Sequence, residues 1–238
     1  MLTLALDTAT DRLSVAARRD DGPVAEREVT GARRHAGALV PAVLAVLQQL
    51  DASVSEVGAL AVSDGPGSFT GLRVGAALAK GLAAARGLPI WTASTLLVRA
   101  AGAGAVAGAT VLAVANALRG ERYVAGYRLT LPLKVEQLLA PRVVSADLQP
   151  QPAAAVLPDL VVSDVAPERL DRWPWAAGAQ VVGPPQALPR AAILLQLIGV
   201  PGGATQLTDA VRWEPTYGRP AEAQARWEAR HGSVLPDP

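Results

Sequence analysis

A chain of 238 residues, half of them hydrophobic but only 4% aromatic, can build one large domain or two small ones around a core of Ala, Val and Leu. A formal net charge of +1 argues against a general nucleic-acid binder that works through a strongly basic surface. The absence of cysteine excludes disulfides, thiolate chemistry and Cys-based zinc sites. No apolar run reaches the ~18 residues of a membrane span, and the strand-like start lacks a signal peptide's basic end and cleavage site. A cytoplasmic, soluble protein is therefore expected.

In chain order, residues 2–30 alternate apolar and polar positions, with Asp20-Asp21-Gly22-Pro23 as a hairpin link between strands near 13–19 and 24–30. A helix is expected from His35 to Leu50, a strand at "LAVSD" (60–64), and a second helix from Thr70 to Arg86. "LPIWTAS" reads as a strand and "TLLVRAAGA" as a third helix, which makes β-β-β-α-β-α-β-α, a mixed sheet covered by helices. The second half opens with "TVLAVANALRGERYVAGYRL", which repeats the layout of the start: apolar strand, polar turn, second strand, with Asn116 placed like Asp7. A duplicated lobe follows, giving two lobes at 1–103 and 104–238, part of a C-terminal helix packing back on the first. Prolines at 132, 141, 150, 152 and 158 are expected to break any long element. "DLVVSD" and "AQVVG" read as short strands, "ALPRAAILLQLIGV" as a helix, and the tail as extended before turning helical near Ala221 to Arg230.

"SDGPGSFTGLRVGAALAKG" (63–81) has the glycine density of a phosphate loop. A Walker loop needs lysine and a hydroxyl after its last glycine, and here Leu72 and Arg73 follow Gly71; the dinucleotide pattern is one residue out of step. The pattern favours a strand-to-helix turn that uses Gly65, Pro66 and Gly67 for tight geometry, with Ser68 or Thr70 as helix cap. Beyond it, Gly71, Gly75, Ala79 and Ala83 form a stripe of small residues four apart, suited to a closely approaching backbone, from another helix or from the chain's own sheet. Arg73 and Lys80 share another face that is expected to stay wet.

The helix at 35–50 carries no charge from Ala36 to Leu50 and is apolar on every side. Two covers remain open: the second lobe, or another protein docking on a surface that includes Leu39, Val43, Val46, Leu50, Gly71, Leu72, Gly75 and Ala79. Asp7 ends the first strand, where it serves either magnesium or a turn. Arg33-Arg34-His35 reads as a solvated helix start or, more sharply, as an RNA phosphate contact. With two histidines and no His-x3-His, metal hydrolysis lacks its ligands, and no Gly-x-Ser-x-Gly elbow is present.

Strand one ending in "ALDTAT", the helix opening at "HAGALVP" and above all "GPGSFTGLRVG…AKGLA" resemble the TsaB family, also called YeaZ. "RGERYVAGYR" and "EPTYGRPAEA" are similar to its looser later motifs; Asn116 and Leu118 depart from its usual Asp and Arg. The resemblance is continuous over residues 1–100. It implies an α/β fold of the actin/Hsp70/sugar-kinase-like (ASKHA) type, two related lobes with mixed sheets, the second reduced. It also implies a degenerate nucleotide turn at Asp7, Thr8 and Thr10, where Ala9 replaces the glycine of Asp-x-Gly-Thr/Ser. The function implied is a non-catalytic scaffold for the TsaD subunit in threonylcarbamoyladenosine synthesis on tRNA. A TsaE-type ATPase, tRNA held through the complex and a homodimer of the lone chain come with it, and no cofactor or metal. An ATP-dependent kinase of the same fold and a metalloprotease-like hydrolase are the alternatives; Ala9 and the missing ligands count against them.

Overall fold

A computed structural model describes residues 1–31, 35–104, 107–117, 120–145, 157–165, 178–218 and 230. The first sheet begins with β1 (Leu2–Asp7), β2 (Arg12–Arg19) and β3 (Val24–Thr30), then α1 (His35–Gln49), a short 3-10 turn, β4 (Val57–Ser63), α2 (Phe69–Arg86), β5 (Ile90–Ala93) and α3 (Thr95–Gly102). The second is built from β6 (Thr110–Asn116), β7 (Glu121–Thr130), β8 (Lys134–Ser145), β9 (Leu160–Ser163) and β10 (Gln180–Val182). The chain then returns through α4 (Ala191–Leu197) and β11 (Thr205–Gln206) to the first sheet, where β11 pairs with β5. The expected tail helix, Ala221 to Arg230, lies outside the described residues except for Arg230. No described helix is long and apolar enough to cross a membrane.

The strand orders are β11-β5-β4-β1-β2-β3 and β10-β9-β6-β7-β8. In each, a hairpin strand pairs antiparallel with its neighbour and a crossover strand joins parallel on the other side. The layout expected from "TVLAVANALRGERYVAGYRL" is thus the same five-strand topology drawn twice.

The faces of the first sheet differ in residue size. Leu2, Leu4, Leu6, Leu13, Val15, Leu60, Val62 and Ile90 point to one side and bury α1 and α2. The other side is presented by Ala5, Ala16, Ala61 and Ala93, in register as cross-strand neighbours at Ala5–Ala16 and Ala5–Ala61. That shallow face lets α3, α4 and the inner face of the second sheet (Val111, Ala113, Tyr123, Ala125, Tyr127) close into one core. α4 has no local cap. Its first amides are taken up by tertiary partners: Ala191 N–H donates to Ser14 Oγ (2.8 Å) and Ala192 N–H to Glu26 Oε1 (3.2 Å).

One expectation fails. β8 runs twelve residues straight through Pro141. It is an edge strand, and the register shifts between Val124 and Gly126 on the partner strand, opposite the proline. An edge bulge tolerates a residue without an amide hydrogen. In α1, likewise, Pro41 sits on the exposed side, so the carbonyl of Gly37 that loses its donor faces water.

The alanine face sets a volume limit. Ala16→Leu should cost ~1–3 kcal/mol in urea unfolding, with an unchanged m-value, because the added methylenes have no void to enter.

Candidate functional site

The turn after β1, expected from the resemblance to be a degenerate nucleotide turn, meets the start of α2. Asp7 is fully buried; its Oδ1 accepts from Ala9 N–H (3.2 Å) and its Oδ2 from the Ser63 hydroxyl at the end of β4. Burial pushes its carboxyl above the ordinary value of 3.8; the Ser63 and Ala9 hydrogen bonds, then Arg99 and Arg12, pull the other way. Thr10 closes the turn, its hydroxyl donating to Arg12 O and accepting from Arg12 N–H.

The space beside this turn is filled by the glycine loop. Ser68 N–H donates to Ala9 O (2.8 Å), and the Ser68 hydroxyl caps α2 by accepting from Gly71 N–H (3.2 Å), while Thr70 lies exposed. A Cβ on Gly67 would lie 2.4 Å from Ala9 O, one on Gly71 2.1 Å from Thr8 O, and one on Gly75 2.4 Å from the Thr8 hydroxyl. Gly65 has φ +95°, and a Cβ there would meet Thr216 O at 2.1 Å. The stripe of small residues therefore faces the chain's own turn, and Ala79 and Ala83 continue it into the core under α2.

That placement redistributes the residues of the expected docking surface. Leu39, Val43, Val46, Leu72 and Ala79 are 0–4% exposed, Gly71 and Gly75 are buried, and Leu50 is half-buried. The exposed side of α1 is instead Ala36, Gly37, Val40, Pro41, Leu44 and Gln48, with Val40 and Leu44 49% and 53% exposed. α2, packed beside it, exposes Thr70, Arg73, Ala77, Gly81, Ala84, Ala85 and Arg86. Among the described residues, a Cβ on Gly37 or Gly81 would meet nothing within 4 Å. The spacing 37, 40, 41, 44, 48 was available in the sequence; the direction of the sheet was not.

Arg73 is exposed and Lys80 half-buried, in keeping with a wet face, and both have partners there. Arg73 stacks 4.1 Å from the Phe69 ring and donates to Tyr217, and Lys80 donates to Val211 O and Glu214. His35 is buried at the head of α1, while Arg33 and Arg34 lie outside the described residues. Beside the second turn, Asp164 accepts from Asn116 N–H (2.9 Å) and pairs with buried Arg99 (2.8 Å); Leu118 is outside the described residues. Composition and spacing did not single out Asp64, Arg99 or Asp164. A signal existed: Val-Ser-Asp ends both β4 (62–64) and β9 (162–164). No group of three or more potential metal ligands gathers among the described residues.

Two measurements test this reading of the turn. Gly71→Ala should cost about 2–3 kcal/mol or more in urea unfolding, because a backbone oxygen blocks the methyl, whereas Gly81→Ala should stabilise the lone chain by about 1 kcal/mol. Because the pKa of Asp7 is raised by folding, its contribution is fully present below 3.8 and is lost as pH rises through the folded value. Asp7→Asn should therefore flatten part of the decline in melting temperature above pH ~4; Asp64, raised by burial in the same direction, retains the remainder.

The family model described as TsaD, tRNA N6-adenosine threonylcarbamoyltransferase, matches residues 28–136. The Escherichia coli K12 tRNA threonylcarbamoyladenosine biosynthesis protein TsaB is 43% identical over 129 residues, 54% of this chain and 55% of that one. The Bacillus subtilis 168 protein of the same name is 34% identical over 128 residues, 54% and 56% of the two chains. The matched region spans a little over half the length of these relatives. A crystal structure from Pseudomonas aeruginosa, of an uncharacterized protein with similarity to peptidase YeaZ, superposes with a TM-score of 0.76 at 28% identity, covering 92% of this chain and 99% of that one. With the repeated mixed sheets, these likenesses give the chain the α/β fold of the YeaZ structure, and the chain belongs to the TsaB/YeaZ family.

Proposed function

We propose that this chain is a non-catalytic subunit of the machinery that makes threonylcarbamoyladenosine on tRNA, and that it binds and activates a TsaD-like catalytic subunit through the outer faces of α1 and α2. Family membership supports the pathway. The observation that carries the docking surface is the contrast among the helical glycines. Glycine inside a helix costs about 1 kcal/mol relative to alanine. Gly71 and Gly75 offset that cost by letting Thr8 approach, but Gly37 and Gly81 have open space beside them. Gly37 lies on the uncharged outer face of α1 with Val40 and Leu44, and Gly81 is exposed on α2 with Ala77, where small residues would let a second pair of helices come close.

The same geometry speaks against the kinase alternative. The carbonyls of Thr8 and Ala9 lie against Gly71 and Gly67, and the Ala9 carbonyl accepts from Ser68. Phosphate entering this turn would have to displace the start of α2. The TsaE-like ATPase and tRNA then act through the complex, and the uncharged face allows the lone chain to form a homodimer.

Co-expression with the TsaD-like subunit tests the proposal. Val40→Arg and Leu44→Arg should weaken co-purification at least ~30-fold and leave the melting temperature of the lone chain unchanged. A change at Leu39, by contrast, would report on folding, since that side chain is 2% exposed. Gly81→Ala should weaken the complex while stabilising the free chain. A complex that survives Val40→Arg and Leu44→Arg together would place the interface elsewhere. In a tRNA-modification assay with each component omitted, product should require this chain; undiminished product without it would overturn the activating role.

A further inference from the structure

Residues 209–218 lie along the Phe69–Arg73–Lys80 flank of α2 and run antiparallel to it. At one end Lys80 Nζ donates to Val211 O (3.1 Å) and Glu214 Oε1 (3.3 Å). In the middle Trp213 Nε1 donates to Asp64 Oδ1 (2.9 Å), the Thr216 hydroxyl to Asp64 Oδ2 (3.2 Å) and Thr216 N–H to Asp64 O (2.7 Å). At the other end Arg73 Nε donates to Tyr217 (3.2 Å), and Tyr123, on β7 of the second sheet, donates to Tyr217 O (3.1 Å). One carboxylate thus holds the middle of the segment, and its far end ties the two sheets together.

The segment differs in kind from what it covers. Val211 is 84% exposed, and Arg212, Glu214, Thr216 and Gly218 are exposed too; Trp213 and Tyr217 are half-buried and Pro215 is buried. Ala210 and Trp213 pack, partly buried, on the core under α2, and Tyr217 packs on Phe69; the other ties are mostly side-chain hydrogen bonds and a surface ion pair, each weak in water. β1 and β4 beneath it are paired on both sides and buried. Segments with few buried apolar contacts open below the free energy of global unfolding.

We infer that residues 209–218 form a clasp that opens as a unit, with Asp64 as its latch, while both sheets stay folded. Closed, it keeps Phe69 and Lys80 of α2 half-buried while Arg73 stays exposed. Open, it uncovers Phe69 and Lys80 beside the already exposed Arg73, frees the glycine loop at Gly65, and releases the tie from α2 to β7. This holds whether or not the uncharged face is the docking surface.

Hydrogen exchange with mass spectrometry on the full chain tests the clasp. In the wild type, peptides spanning 209–217 should exchange faster than those of β1 and β4, at a rate insensitive to low denaturant. The double change Trp213→Phe with Thr216→Val removes both donors to the Asp64 carboxylate, keeping an aromatic ring at 213 and the side-chain volume at 216; it should speed clasp exchange about tenfold and leave β1 and β4 unchanged. Asp64→Asn, which weakens the acceptor, should act in the same direction by a smaller factor. Clasp amides as protected as those of β1 and β4, or variants that speed clasp and sheet together or change neither, would overturn the inference.

Discussion

The approach of the Thr8–Ala9 turn to the glycine side of α2 is the contact on which the rest of the site depends. The carbonyls of Thr8 and Ala9 occupy the positions that side chains at Gly71 and Gly67 would take. Ser68 answers by donating its amide to Ala9 and capping the helix with its hydroxyl. Three consequences follow from that packing. α2 is seated on β1 and β4, the Thr8 and Ala9 carbonyls are packed against the start of α2, and the outward direction of every other residue of α2 is set. Asp7 is a buried hydrogen-bond acceptor for Ser63.

A second constraint is the alanine face. Small residues on the inner side of the first sheet allow one continuous core to run from Ala5 and Ala16 through α3 and α4 to Tyr123 and Tyr127 of the second sheet. Chain that is distant in sequence closes it. α4 borrows Ser14 and Glu26 for its first amides, and Arg12 reaches the carbonyls of Leu188 and Pro189 just ahead of it. The duplicated Val-Ser-Asp endings show how a repeat diverges. Ser63 ties its strand to Asp7 while Ser163 accepts from Val165, and Asp64 holds the C-terminal segment while Asp164 holds Arg99.

Glycine in a helix is ambiguous until its surroundings are known, and this protein contains both outcomes. At Gly71 and Gly75 the missing side chain admits the chain's own turn. At Gly37 and Gly81 no described residue lies within 4 Å of where a side chain would begin, and both are exposed on the outer sides of α1 and α2. The first pair makes the fold; the second is the physical basis for proposing a partner.

Period and composition alone determined much of this molecule. They were enough for three strands before α1, for helices at Phe69–Arg86 and Thr95–Gly102, and for the repeated strand-turn-strand layout, because alternation, caps and glycine stops are local signals. They also marked the loop at Gly65–Gly71 as geometry, since Leu72 and Arg73 stand where a phosphate loop needs other chemistry. The tertiary structure alone decided which side of α1 and α2 faces inward: a helix apolar all round has no inward side until a sheet is laid against it, so Leu39 and Val43 went to the core and Val40 and Leu44 to the surface. It likewise decided that Pro141 lies within a strand, because an edge position and a bulge are properties of the neighbouring strand. The pairing of Asp64 with Trp213 and Thr216, about 150 residues away, has no local signal, because only the folded chain brings those groups within hydrogen-bond reach.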